Sequence, residues 1–166
     1  MSMSAIATRA KVPVGSLYKY FPSKTAVVHR LFIDRLSSYH PLMEREMRGV
    51  KSAAGCARAL RRAVFRIYAA NRGDPLMQDI WAGVQADRTI RELHEADNDY
   101  YTQALFDLAK LARSRLGRDV LKRRSVIVNE LIDSVIRLCI RLPPSVAKPM
   151  LDDAVSIGVA SLGIRT

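Results

Sequence analysis

The chain has 166 residues, 49% of them hydrophobic and 26% charged, and a formal net charge of +11. That length implies one domain, or one with a small appendage, and that composition can bury a core unaided; neither a disordered nor a disulfide-framed chain fits. The basic surplus points to an anionic partner and is uneven: residues 1–50 carry 8 Lys and Arg against 3 Asp and Glu, residues 126–166 carry 4 against 4.

Strand alternation is absent, and almost every segment reads as helix. Ser2 suits an N-cap for a short helix over 3–10 with Met3, Ile6, Ala7 and Ala10 on its apolar side. Pro13 interrupts it, and a second short helix over about 15–20 ends before Pro22. Ser23 then caps a long helix over about 24–39. Its expected inner positions are Ala26, Val27, Leu31, Ile33 or Asp34, and Leu36, and Pro41 is expected to end or kink it before a polar piece to Arg48.

Residues 53–71 predict the next helix, with Leu60, Val64, Ile67 and Tyr68 inward and Arg58, Arg62 and Arg66 along another side. Gly73 and Pro75 stop it. A short helix over 75–84 and a long one over 88–114 follow, the latter with Leu93, Tyr100, Tyr101, Leu105, Leu108 and Leu111 inward, up to a boundary at Gly117.

The helix predicted over 125–142 confines its polar residues to one stripe, Glu130, Asp133, Arg137 and Arg141. So wide an apolar surface needs cover on more than one side. The last predicted helix, 149–163, takes Pro149 at its first position, Asp152 and Asp153 in its first turn, and a ridge of Ala154, Gly158 and Ser161 that admits another helix. A homodimer through these two helices, as an isologous four-helix bundle, would cover them.

The stretch "AKVPVGSLYKYFPSK", residues 10–24, sets Tyr18, Tyr20 and Phe21 among Lys11, Lys19 and Lys24. A core wants the aromatics without the lysines, and a solvated loop wants the reverse. Two short helices across a tight turn, the second aromatic, make a helix-turn-helix, whose second helix enters the major groove of double-stranded DNA. Gly15 lets the backbone approach a phosphate, and Ser16 reaches a base edge or a phosphate. Tyr18 and Tyr20 donate to phosphate or meet thymine methyls, and Lys19 and Lys24 neutralise phosphates. Leu17 and Phe21 turn inward toward Ile6 and Val27.

"SAIATRAKVPVGSLYKYFPSKTAVV" resembles the DNA-binding region of the tetracycline-repressor (TetR) family. The match is carried by Ile6-Ala7, Ala10-Lys11-Val12, Gly15-Ser16-Leu17-Tyr18-Lys19-Tyr20-Phe21 and Lys24, and "DIWAGVQAD", 79–87, is similar to stretches of such regulators. The resemblance implies an all-α fold, with a head over residues 1–40 and a ligand-binding and dimerisation domain over 41–166. It implies DNA contacts at Thr8, Pro13, Val14, Gly15, Ser16, Tyr18, Lys19, Tyr20 and Lys24, each protomer reading one half-site of a palindromic operator. Lys11 stands where the family usually has Gly; a left-handed backbone there would cost roughly 1 kcal/mol. The family pattern also places a helix ahead of this motif, which the chain as written lacks. The expectation is a truncated or misassigned start, or a missing part that was cut or is disordered, with weakened DNA binding or exposed Ile6 and Phe21.

The resemblance further implies a small-molecule effector between the central helices. Candidate walls are Phe65, Tyr68, Met77, Trp81, Val84, Tyr100, Tyr101 and Leu105, around a mostly apolar cavity. No catalytic set, phosphate loop or metal spacing is read, and no cofactor is expected. His29, His40 and His94 stand apart on helix surfaces, and the acids of 92–99 read as a solvated face. No signal peptide is read, Cys56 and Cys139 fit apolar helical patterns, and apolar runs break before the ~18 residues of a membrane span, so the expected location is the cytoplasm. The expected function is a DNA-binding transcriptional regulator, most simply a repressor released by its ligand. The alternative is a dimeric small-molecule-binding protein whose head no longer reads DNA.

Overall fold

The computed structural model describes residues 2–76, 78–79 and 87–165. Met77, Trp81, Val84 and most of the helix and motif expected over 75–87 lie outside the described residues. Among the described residues there are seven helices of seven residues or more and no strand: α1 (Met3–Ala10), α2 (Val14–Tyr20), α3 (Lys24–Met47), α4 (Ala53–Arg72), α5 (Arg88–Leu111), α6 (Arg118–Cys139) and α7 (Pro144–Ser161).

Caps set most of the starts. Ser2, Ser23 and Ser52 each accept from the amide three residues on, and Asp87 does the same for Ile90, so an orphan donor of each first turn is satisfied. Lys11 ends α1 with φ 56° and ψ 39°, the left-handed conformation its position foreshadowed.

The long helix does not end at Pro41. α3 runs through it to Met47. Pro41 withholds one amide from the ladder, but Leu36, Tyr39, Met43 and Glu46 are buried on both sides of it, so packing on α4 and α5 carries the helix across. The inner face also differs from expectation. Phe32 is fully buried in a small cluster with Leu36 and Ile90, while Leu31 and Ile33 are exposed, because α5 packs against the Phe32 side.

α4 is central, touching α3, α5, α6 and α7. Its Leu60, Val64 and Tyr68 are buried as expected. Arg62 and Arg66 both hold the buried Glu46 carboxylate of α3, which keeps that carboxyl below the usual range, chiefly through the Arg62 hydrogen bond. Arg72 donates to the Ile140 and Leu142 carbonyls at 3.2 and 2.6 Å, capping the end of α6.

The last two helices both start earlier than their patterns suggested. α6 begins after Gly117, since Leu121 and Ser125 already continue its buried stripe. α7 begins at Pro144, and Pro149 is interior rather than first, so Asp152 and Asp153 are not in the first turn. Pro149 and the Ser145 whose carbonyl loses its amide partner are both exposed, so that carbonyl is open to solvent. The small-residue ridge is occupied within the protomer: a Cβ at Gly158 would sit 2.9 Å from Val128 on α6. No helix among the described residues is long and apolar enough to cross a membrane.

Candidate DNA-reading head and effector cavity

The head is basic by composition. Arg9, Lys11, Lys19, Lys24 and Arg30 fall before the first acidic residue, Asp34. Thr8, Pro13, Val14, Gly15, Ser16, Tyr18, Lys19, Tyr20 and Lys24 are all exposed, and Tyr20 is 74% exposed. Pro13 turns the chain into α2, and the Val12 amide bonds the Ala7 carbonyl, which holds the turn between α1 and α2 closed. Nothing stands within 4 Å of a Cβ placed on Gly15, so the start of α2 is open to an approaching surface. Thr8 spends its hydroxyl on the Ser4 carbonyl at 2.9 Å. Lys24 opens α3, next to its Ser23 cap. Ile6, Leu17, Phe21 and Val27 are half-buried behind this face, and no residue of α2 is fully buried.

A cavity of about 70 Å³ lies where α3, α4, α5 and α6 meet. Its apolar wall includes Leu36 and Met43 of α3, Leu60 and Val64 of α4, and Ile132 and Ile136 of α6. Of the expected ligand residues that are described, Tyr101 and Leu105 stand on this wall. Phe65, Tyr68 and Tyr100 stand elsewhere. Phe65 lies under the Arg61 guanidinium at 4.6 Å, and Tyr68 is buried in the main core. Tyr100 braces α5 on α3: its ring stacks on His40 at 3.8 Å and its hydroxyl donates to Glu44 at 3.1 Å. Burial, then that carboxylate, pushes the Tyr100 hydroxyl up to about 12.

The polar part of the wall escaped the sequence reading. Tyr39, His94, Asp97, Asn98, Asn129, Asp133 and Arg137 all line the cavity. Asp133 and Arg137, two members of the polar stripe of α6, face inward onto this wall. Two of the three histidines are half-buried against carboxylates around it: His40 Nε2 is 2.6 Å from Asp97 Oδ1, and His94 Nε2 is 3.4 Å from Asp133 Oδ2. Burial raises the Asp97 carboxyl, and the His40 hydrogen bond opposes that rise. Burial lowers His94, and the Arg137 charge lowers it further. Four-residue spacing on α6 was visible; that it pointed at α5 was not. Among the described residues no group of three or more His, Cys, Asp or Glu could hold a metal ion.

A basic helix-turn-helix head on an all-helical body defines a class, the helix-turn-helix regulators of transcription. Residues 1–31 match the family model described as bacterial regulatory proteins, tetR family, and residues 54–161 match the one described as tetracyclin repressor-like, C-terminal domain. The second match alone spans more than half of the chain, and the chain belongs to the TetR family of transcriptional regulators. Membership implies DNA binding and dimerisation. No curated protein and no solved structure matches the chain.

Proposed function

We propose that the chain is a cytoplasmic homodimeric repressor that reads a palindromic operator and releases it when a small molecule enters the cavity. One observation carries the reading: α3 belongs to both sites. Lys24 at its start flanks the head, and Leu36, Tyr39 and Met43 further along line the cavity. From Lys24 to Tyr39 the helix spans about 22 Å at 1.5 Å per residue. A ligand that favours one tilt of α3 would shift the spacing of two heads, and so their fit to an operator.

The dimer in this reading forms through the outward face of the α6–α7 pair. Ile127 and Leu138 are exposed on one face of α6, three turns apart, and Val146 and Ile157 are likewise placed on α7. Exposed apolar side chains of that size on two adjacent helices suit a second copy. The operator contacts in this reading are the nine exposed head residues from Thr8 to Lys24, with Ser16, Tyr18, Tyr20 and Lys24 foremost.

A second reading has its own observation. No residue of α2 is fully buried, so the head is thinly held, and a dimeric ligand-binding protein that does not read DNA would tolerate this. Selection of bound DNA from a random pool by this chain, near physiological salt, separates the two. Enrichment of a palindrome supports the regulator, and no enrichment supports the second reading.

A further inference from the structure

The whole net charge of +11 is carried by two segments. Residues 1–33, in the head, hold 5 Lys and Arg and no acid. Residues 110–124, from the end of α5 into the second turn of α6, hold 7 against Asp119 alone. Of the 27 Lys and Arg and 16 Asp and Glu in all, that leaves 15 of each elsewhere, where they cancel. Many of those are paired, as Arg35 with Asp74, Arg61 with Asp152, and Arg62 and Arg66 with Glu46. The seven cations of 110–124 are all exposed, and among the described residues none forms an ion pair.

The second segment lies at the far end of the molecule from the first. α3 and α5 run side by side in one direction, since His29 bonds Asp87, His40 bonds Asp97 and Tyr100 bonds Glu44. Followed along α3 from Lys24 to Glu44, then along α5 from Tyr100 to Lys110, the axes cover about 45 Å at 1.5 Å per residue. The turn that carries the charge is tied to the body. Ser114 donates to the Leu162 carbonyl at 2.7 Å, and Arg124 to the Ser161 carbonyl at 2.8 Å. Lys110, over the Phe106 ring, and Arg118 flank one depression. Like charges gathered on a fixed surface repel one another, and an anionic partner removes that cost.

We propose that this end of the body holds a second DNA duplex by its phosphates, without reading sequence, so that the protein bridges two stretches of DNA. The bridging rests on the heads binding DNA; the distal site does not. Five of the seven cations are arginines, whose guanidinium forks match phosphate oxygens in pairs. A duplex carries one charge per about 1.7 Å, and neutralising its phosphates releases condensed counterions. The duplex under the heads does not fold back to this end, because DNA bends smoothly only over a persistence length of about 150 bp. The occupant is therefore another duplex, or a distant part of the same one. An anionic bilayer fits less well, since binding at a lipid surface also uses a face of large apolar groups. Within 110–124 the exposed large apolar residue is Leu111, and Phe106 is buried beneath Lys110. In a dimer that sets both heads on one operator, both distal ends face the other way and their charges add.

The test uses the 166-residue chain with one immobilised and one fluorescent duplex, both of scrambled sequence. A distal variant combines Arg115→Gln, Arg118→Gln, Lys122→Gln and Arg123→Gln; a head variant combines Lys19→Gln and Lys24→Gln. Wild type on the immobilised duplex should retain the fluorescent one, and the distal variant should bind the first yet retain about tenfold less of the second. In anisotropy titrations the head variant should still bind duplex. Adding the distal changes to it should lower the salt-dependence slope by about three to four units, about 0.9 per lost phosphate contact. That titration decides the distal site even where the heads read no operator, so the two failures are told apart. A distal variant that retains as much second duplex as wild type, a wild type that retains none, or a slope the distal changes leave unmoved overturns the proposal. So does unchanged duplex binding alongside vesicles of phosphatidylglycerol and phosphatidylcholine that bind wild type and not the distal variant, which makes the partner a bilayer. All four side chains are exposed, and circular dichroism checks that the helices remain. Should the fourfold change fail to fold, Arg115→Gln with Arg118→Gln should lower the slope by about two units, and an unmoved slope overturns the site.

Discussion

A Cβ added at Gly158 on α7 would stand 2.9 Å from Val128 Cγ1 on α6. The close approach of α6 and α7 therefore depends on a residue with no side chain. Gly158→Leu should destabilise the protein by about 1–3 kcal/mol, the usual cost of overpacking a well-packed contact. Gly158→Ala should cost less, because a single methyl asks less of Val128 and Ala favours helix by about 1 kcal/mol over Gly. Urea unfolding midpoints measure both. A Leu variant as stable as wild type would mean the two helices do not pack in this register.

The outward side of the same pair gives the second prediction. Ile127 is 64% exposed, and Ile157 is exposed on α7. Ile127→Glu combined with Ile157→Glu should convert a dimer to monomer in sedimentation velocity, since each charge would be buried twice across an isologous face. Helix content by circular dichroism should be nearly unchanged, because neither side chain is part of the protomer's core. A variant that stays dimeric would move the interface elsewhere.

These two residues show what could and could not be read from the sequence. The wide apolar surface of α6 was visible, and it does divide between the core and an exposed face. Which neighbour takes which face was not, because periodicity fixes a direction around one helix and not the partner it meets. Gly158 was expected to admit another helix, and the helix that comes against it, through Val128, belongs to the same protomer. Pro41 and Pro149 misled for a related reason: proline's local cost is fixed, while the packing that overrides it is non-local. The head was the most legible part, since Ser2, Lys11, Pro13 and Ser23 act within a few residues of themselves. The cavity was the least legible. His94, Asp97, Asp133 and Arg137 come together from α5 and α6, and a charged residue on a helix reads as solvated until its neighbour is known.

Lys11 offers a test of local strain. Its φ of 56° puts a side chain in the left-handed region, where glycine is favoured. Lys11→Gly should stabilise the head by about 0.5–1 kcal/mol, the gain from removing Cβ crowding less the added freedom of the unfolded chain. Amide hydrogen exchange in α1 and α2, measured without DNA, should slow correspondingly. Faster exchange would mean that Lys11 is held by a contact outweighing its backbone cost.

His94 gives the pH prediction. Burial, and next the Arg137 charge, lower it from its ordinary 6.5, against the raising influence of Asp97, Glu130 and Glu95. The unfolded chain therefore takes up this proton at a higher pH than the folded one. Stability should fall as pH drops below about 6.5 and stop falling, for this group, once the lowered folded value is passed. Urea midpoints at pH 7.5 and 5.5 should differ less for His94→Gln than for wild type. An equal difference would place the acid sensitivity on other groups.

Lys24 separates general attraction to DNA from reading. It is exposed at the start of α3, beside α2, in a head with no acid before Asp34. A lysine on a phosphate displaces about one counterion, so Lys24→Ala should weaken binding to every sequence alike and lower the salt-dependence slope by about one unit. Ser16→Ala should leave that slope unchanged and alter the preferred base at one position of each half-site. The helix itself should survive the Lys24 change, because Ser23, not Lys24, supplies the cap to the Ala26 amide. Titrations at several salt concentrations, with the selected operator and with a scrambled duplex, measure both effects. If Lys24→Ala discriminates between the two duplexes, Lys24 reads a base edge. If it leaves the slope untouched, it faces no phosphate, and the docking of α2 in the groove must be rotated away from it.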